Sequence, residues 1–182
     1  MKKFEEKTTH TETIYNGKVV KLQVDDVTLP DGNTSKRELI KHSGAVAIIP
    51  ITKDNKIVFV EQYRKPLEKS LVEIPAGKLE NGEEPEVTAK RELEEETGYT
   101  TTESMAFAAS FYTSPGFADE IMYLYTAKNL EPVENPAAGD DDEFIELIEL
   151  TLEEAKQYVK NKRIHDAKTN YAVLYLETLE RM

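Results

Sequence analysis

Residues 77–99, GKLENGEEPEVTAKRELEEETGY, run from a glycine loop into a glutamate-rich segment with a Pro near its start and a Gly near its end. Pro85 suits the first position of a helix, where its missing N–H would find no partner anyway, and Gly98 can take the left-handed conformation that ends one. These signals predict a helix from Pro85 to Thr97. Inside it Ala89 and Leu93 lie four apart and form a thin apolar stripe flanked by Val87, while Glu92, Glu95 and Glu96 share another face at i, i+3 and i+4. Three carboxylates therefore point one way.

A solvated charged helix is the plainer account of such a segment. It places Glu four residues before Lys, and Glu86 with Lys90 does this. Glu92 and Glu96 have no cationic residue at helical spacing. Like charges at that spacing cost what opposite charges gain, about 0.2–0.5 kcal/mol per pair, and a bound cation turns that penalty into attraction. Hard oxygen ligands on one face favour Mg²⁺ or Mn²⁺. Carboxylate spacing alone leaves both accounts open.

The 182 residues, 39% hydrophobic and 32% charged, suit one globular domain with an appended subdomain. Without Cys there is no disulfide framework, thiolate metal site or catalytic thiol. No apolar run is long enough to span a membrane and no signal-peptide pattern stands out, so a cytoplasmic protein with no membrane partner is expected. The net charge of -12 repels phosphate backbones, and no basic cluster with interleaved aromatics suggests a nucleic-acid groove. Long nucleic acids are excluded as partners; a small phosphorylated ligand is not, because a bound cation reverses the local field.

Before the helix, alternating segments at Thr11–Tyr15, Val19–Leu29 and Lys36–Lys41, with turns at Asn16-Gly17 and Pro30-Asp31-Gly32-Asn33, predict a small antiparallel sheet. Residues 1–43 thus read as an N-terminal β-subdomain and 44–182 as the main domain. Ala45–Ile51, Ile57–Tyr63 and Leu71–Ile74 read as strands, the first a continuous apolar run suited to full burial. After the helix come strands at Ser104–Tyr112, Ile121–Ala127 and Phe144–Leu150. Thr151 is placed to cap a helix reaching Asn161, and Asp166 to cap a last helix with Ala172, Leu176 and Leu179 on one side. Strands with one helix between them and a helix pair at the end predict an α/β fold in which helices layer a sheet.

The wider spacing adds to this. Gly77, five residues, Glu83, seven residues, then Arg91-Glu92-Leu93-x-Glu95-Glu96-x-Gly98 resembles the signature of the Nudix hydrolases, which cleave nucleoside diphosphates linked to another group. Tyr99 departs from it, standing where an aliphatic residue is usual. Pro115, sixteen residues after Tyr99 in Ser114-Pro115-Gly116-Phe117, and the segment Ile164-His165-Asp166-Ala167-Lys168-Thr169 resemble the ADP-ribose pyrophosphatase branch. The resemblance implies an α/β/α sandwich with a mixed sheet and an N-terminal antiparallel β-subdomain that pairs two copies into a homodimer.

The same resemblance implies the chemistry and its residues. It makes the chain a Mg²⁺-dependent hydrolase of the ADP-ribose diphosphate, or of another nucleoside diphosphate sugar or dinucleotide, or else a regulator that binds ADP-ribose without turnover. Glu92, Glu95 and Glu96 would hold metal together with the carbonyl of Ala76, and Arg91 with Glu83 would brace the loop. Arg64 would lie near the diphosphate, Arg37 and Glu38 near the adenine, Pro115 and Gly116 in the substrate loop, and Glu120 on the ribose side. Asp140-Asp141-Asp142-Glu143, a solvated loop if taken alone, would supply the general base. Asp141 stands where the branch often has Glu, so both Asp141 and Glu143 remain candidates. His10, His42 and His165 show no ligand spacing.

Overall fold

In a computed structural model of the chain, residues 3–80, 82–136 and 144–181 are described. The candidate bases Asp141 and Glu143 lie outside the described residues. Contacts divide the chain into two units: Met1–Gly44 with Phe111–Met122, and Ala45–Ser110 with Tyr123–Met182.

In the first unit β1 (Lys7–Asn16), β2 (Lys21–Thr28) and β3 (Thr34–Lys41) form an antiparallel sheet in that order. Asn16 pairs with Lys21, so the first hairpin turns through Gly17–Val20 and not through a two-residue Asn-Gly turn. The Gly17 N–H bonds the Val20 carbonyl at 3.0 Å. The Tyr15 ring lies over Gly17, where an added Cβ would come within 2.5 Å of it. Residues 111–122 join this unit at β3: Ile40 N–H bonds the Phe117 carbonyl at 2.7 Å, and Asp119 N–H bonds the Ile40 carbonyl at 3.2 Å.

The second unit holds the core. β4 (Ala45–Pro50) is buried at every position, as its unbroken apolar run requires. β5 (Ile57–Arg64) leads through one 3-10 turn, Lys65–Leu67, into β6 (Lys69–Glu73) and then β7 (Ala76–Lys78). β7 falls in what reads as a loop; its three residues pair with Ala45–Ala47. Helix α1 follows over Pro85–Thr97, with Gly98 at φ 67° and its N–H on the Glu94 carbonyl at 2.8 Å. Both of its boundaries match the sequence signals.

Next come β8 (Tyr99–Thr100), β9 (Ala106–Tyr112), β10 (Ile121–Ala127) and β11 (Glu131–Pro132), then β12 (Ile145–Leu150). Among the described residues the sheets run β7–β4–β10–β9 and β12–β5–β6, with a two-strand ribbon β8–β11. That ribbon is too short for any alternation to announce it. Thr151 and Glu154 close a reciprocal capping box on α2 (Leu152–Lys160), and Asp166 caps α3 (Ala167–Glu180).

Ala89 and Leu93, fully buried, pack α1 into a cluster with Val46, Ile48, Val58, Met105, Tyr125 and Ala127. The thin stripe read from the helix is therefore its inward face, and Val87 stays outside, 54% exposed. Tyr99 packs at the margin of this core while its hydroxyl donates to Glu149 at 3.2 Å, which explains how an aromatic residue is accommodated there. On α3 the inward residues are Thr169, Ala172 and Val173; Leu179, expected inside, is 49% exposed.

Candidate active site

Begun by Pro85, closed by Gly98 and anchored by Ala89 and Leu93, α1 turns Arg91, Glu92 and Glu95 away from the core stripe, while Glu96, seven residues after Ala89, is itself buried. The guanidinium of Arg91 gathers the carboxylates. Its Nη1 donates to Glu92 at 2.9 Å and to Glu95 at 2.8 Å, and its Nη2 lies 3.4 Å from Glu83. Glu92 thus has a cationic neighbour after all, one position back, because a long Arg side chain folds across the helix surface. Burial works against the Arg91 charge, but Glu92, Glu95 and Glu83 outweigh it and hold its pKa above the ordinary value. Glu83 also accepts from the Thr88 hydroxyl at 2.8 Å, and Thr88 is fully buried. Thr88 carries no signal in the sequence beyond its place five residues after Glu83.

Glu96 is 8% exposed and accepts the backbone N–H of Ala76 at 3.0 Å. This bond ties the β7 backbone to the helix and brings Ala76 beside the carboxylate face. A Cβ added to Gly77 would fall 1.9 Å from the Glu92 carboxyl carbon and 2.0 Å from one of its oxygens. The glycine is there because the carboxylate occupies the space a side chain would fill. Among the described residues no three acidic or His side chains are already drawn together as a metal cage. Arg91 stands between Glu92 and Glu95 as their counter-ion. The donor set nevertheless fits a hard divalent cation: all-oxygen, partly open to solvent, and carrying more negative charge than Arg91 offsets.

Arg64, at the end of β5, is held by Glu73 at the end of β6. Its Nε and Nη2 donate to the two carboxylate oxygens at 2.8 Å each. Lys168, from the first turn of α3, bonds the same carboxylate. In the first unit Arg37 makes an equally bidentate pair with Glu6, at 2.8 and 2.6 Å. Glu38 is the next residue of β3, opposite Val24. Pro115 and Gly116 lie in a tight turn closed by Phe117 and Ala118 N–H groups on the Ser114 carbonyl, at 3.1 and 2.9 Å. Glu120 accepts from the Thr113 hydroxyl at 2.6 Å and lies 3.8 Å from Nδ1 of His42.

The second unit thus brings Glu83, Arg91, Glu92 and Glu95 around one guanidinium and Ala76 against Glu96. Arg64 belongs to a separate ion cluster whose other members, Glu73 and Lys168, are read from the sequence only as part of the strand Leu71–Ile74 and part of a motif. An acidic residue inside an apolar run, as in Leu71-Val72-Glu73-Ile74, is a signal for a buried charge that needs partners.

Residues 41–171 match the family model described as the NUDIX domain, and residues 6–40 match that of the nucleoside diphosphate sugar hydrolase N-terminal domain. The chain belongs to the Nudix family of hydrolases. Its members depend on divalent cations. Among individual proteins, it is 67% identical to a methanol dehydrogenase activator of Bacillus methanolicus over 181 residues, covering 100% of this chain and 97% of the relative. It is 54% identical to an ADP-ribose pyrophosphatase of Bacillus subtilis (strain 168) over 182 residues, covering 100% and 98%. The fold also matches the crystal structure of an ADP compounds hydrolase, with a TM-score of 0.85 at 19% identity over 97% of this chain and 95% of that one. Among the described residues no helix is long and apolar enough to cross a membrane.

Proposed function

We propose that the chain hydrolyses the diphosphate of ADP-ribose to AMP and ribose 5-phosphate, using Mg²⁺, for which Mn²⁺ can substitute. The observation that carries the chemistry is the carboxylate face of α1 set against a glycine, with Glu92 filling the space of the missing side chain. The choice of ADP-ribose is supported by the full-length similarity to the Bacillus subtilis pyrophosphatase.

In this reading Glu92, Glu95, Glu96 and the carbonyl of Ala76 hold the cation. A divalent cation there neutralises diphosphate charge and lowers the pKa of water. Arg91 and Glu83 brace the loop before α1. Arg64 orients the diphosphate, Arg37 and Glu38 receive the adenine, the Pro115-Gly116 turn lines the substrate, and Glu120 faces the ribose. Asp141 or Glu143 takes the proton from the attacking water. The water oxygen bonds to one phosphorus as the bond from that phosphorus to the bridging oxygen breaks. The bridging oxygen departs with the electron pair on the other phosphate. Incubation with ADP-ribose and Mg²⁺ should release AMP, and Glu95→Gln should abolish nearly all of it; no AMP from the unaltered chain sinks the reading.

The N-terminal β unit is proposed as the pairing element of a homodimer. Support comes from β1, exposed along its whole length, and from Phe4, Ile14, Tyr15 and Val19, each more than half exposed. Light scattering that returns a monomer mass at working concentration overturns it.

The Bacillus methanolicus relative favours a second reading, in which the chain raises the activity of a methanol dehydrogenase. Adding the unaltered chain and Glu95→Gln to such a dehydrogenase separates the two: equal stimulation by both makes activation independent of hydrolysis, and no stimulation by either removes the reading.

A further inference from the structure

We infer that Glu73 is a positioning residue for Arg64, and that the start of α3, through Lys168 and Thr169, sets the stretch from which Glu73 and Ala76 act. This rests on the reading that Arg64 meets the substrate diphosphate.

Among the described residues β6 is the outer strand of β12–β5–β6, and one row of its backbone groups has no strand partner there. The segment leading into α3 covers that row. Val72 N–H bonds the Arg163 carbonyl at 3.0 Å, and Ile74 N–H bonds the Thr169 hydroxyl at 3.1 Å, with Thr169 fully buried. Thr169 is itself fixed, its N–H on the capping carboxylate of Asp166 at 3.0 Å. The backbone is pinned at Val72 and Ile74 from one side and at Pro75, whose carbonyl accepts from Ile48 N–H at 2.9 Å, from another. Glu73 sits within this clamp and Ala76 follows it directly.

The Glu73 side chain is 3% exposed and Lys168 11%, whereas Arg64 is 38% exposed. Two buried groups therefore hold one that reaches solvent. Because Glu73 takes Nε and Nη2 together, the plane of the guanidinium is fixed, and among the described residues Nη1 is left for a ligand. Lys168 satisfies the Glu73 carboxylate further and also lies 3.2 Å from Asp166, so the four charges cancel without drawing Arg64 away from its plane. Arg64 also senses the charge of Glu96, which holds the Ala76 N–H. A bidentate Arg already frozen by buried neighbours loses little freedom when a phosphate binds. Freed from Glu73, it must be ordered by the substrate, and affinity falls.

The test measures kcat, KM and Tm with ADP-ribose and Mg²⁺ for Arg64→Lys, Glu73→Gln and the double variant. KM should rise about 3- to 10-fold in each single variant, with kcat little changed, and the double variant should be no worse than the poorer single one. If Glu73→Gln lowers Tm and leaves KM unchanged while Arg64→Lys raises it, Glu73 is structural only and the inference is overturned, with the diphosphate role of Arg64 intact. If Arg64→Lys leaves KM unchanged, that role itself is wrong and the inference falls with it. Should Glu73→Gln fail to fold, Lys168→Met must raise KM in the same direction and Lys168→Arg must restore it; an unchanged KM in Lys168→Met overturns the inference.

Discussion

Two ion clusters of the second unit stand in opposite balance. Around Arg91 one cation meets the carboxylates of Glu83, Glu92 and Glu95 within 3.4 Å, their side chains 13–22% exposed. Around Glu73 one carboxylate, 3% exposed, meets Arg64 and Lys168, and Asp166 supplies the second negative charge. The first cluster keeps an excess of two negative charges, three less one, while the second sums to zero. Excess charge within reach of solvent is a standing demand for a cation. A buried set that already cancels makes no such demand and serves to hold geometry. The contrast predicts that damage to the first is read in activity and metal response, and damage to the second in stability and substrate affinity.

Breaking the balanced cluster should have the largest effect. Glu73→Ala leaves Arg64 without its bidentate partner and Lys168 with Asp166 alone, and loss of one partner of a buried pair costs about 3–5 kcal/mol. The lower end is expected here because Arg64 is exposed enough to regain water. Urea unfolding at neutral pH measures it; a loss below about 1 kcal/mol would place the pair among surface ion pairs and erase the comparison. The pH dependence has a definite sign. Burial pushes the Glu73 carboxyl up, but Arg64 and Lys168 outweigh it and hold its pKa below the ordinary 4.5. The unfolded chain therefore takes up this proton first as pH falls. The contribution of Glu73 is complete above 4.5 and lost as pH descends through the lowered folded value, and Glu73→Ala should flatten the acid limb of the stability profile.

Activity should respond most to the unbalanced cluster. Glu95→Gln keeps the shape of the side chain and removes one charge, and an expected loss of about 10²–10³ in kcat follows from removing one electrostatic stabiliser of the reacting group. Its stability should change little, since the weaker bond from Arg91 is offset by removal of a like charge beside Glu92. A large drop in Tm with kcat preserved would reverse the assignment of the two clusters. Next in size is the response to metal. Mg²⁺ at a hundred times its dissociation constant should stabilise the unaltered chain by about 2.7 kcal/mol. The gain should shrink in Glu92→Gln and persist in Lys168→Met, and equal gains in all three would remove the carboxylate face as the metal site.

How readily each cluster is read from the sequence follows from its geometry. The α1 face is local: Pro85, Gly98, the Ala89–Leu93 stripe and the three glutamates lie within one helix, where a fixed period converts sequence spacing into direction. Thr151 with Glu154 and Asp166 with Thr169 are legible for the same reason. The Arg91–Glu92 bond is local too, yet no helical spacing rule announces it, because it depends on a flexible side chain bending to its immediate neighbour. The Glu73–Lys168 contact joins residues 95 positions apart, and the β8–β11 ribbon joins Tyr99 to Pro132. Such pairings are set by how the sheet edge is covered, which no local period encodes. Leu179 fails in a third way: seven residues after the buried Ala172 it shares that side of α3, but it lies in the last turn of the helix, where it is 49% exposed.

The smallest expected effect tests whether position or total charge makes the first cluster what it is. Lys90 and Glu86 lie on α1 at i, i+4, 3.3 Å apart, with side chains 44% and 41% exposed. Lys90 is adjacent to Arg91 in sequence, yet its charge is spent on an exposed pair. Lys90→Met makes the helix more negative by one charge, as Arg91→Met would, but leaves the hydrogen bonds of Glu92, Glu95 and Glu83 in place. An exposed pair of this kind contributes about 0.2–0.5 kcal/mol, and salt screens it. Stability should fall by no more than that, and kcat, KM and the Mg²⁺ response should be unchanged. If Lys90→Met instead strengthens Mg²⁺ binding as much as loss of Arg91 does, the metal answers to the net charge of the helix, and the placing of Arg91 among its carboxylates has no special part in it.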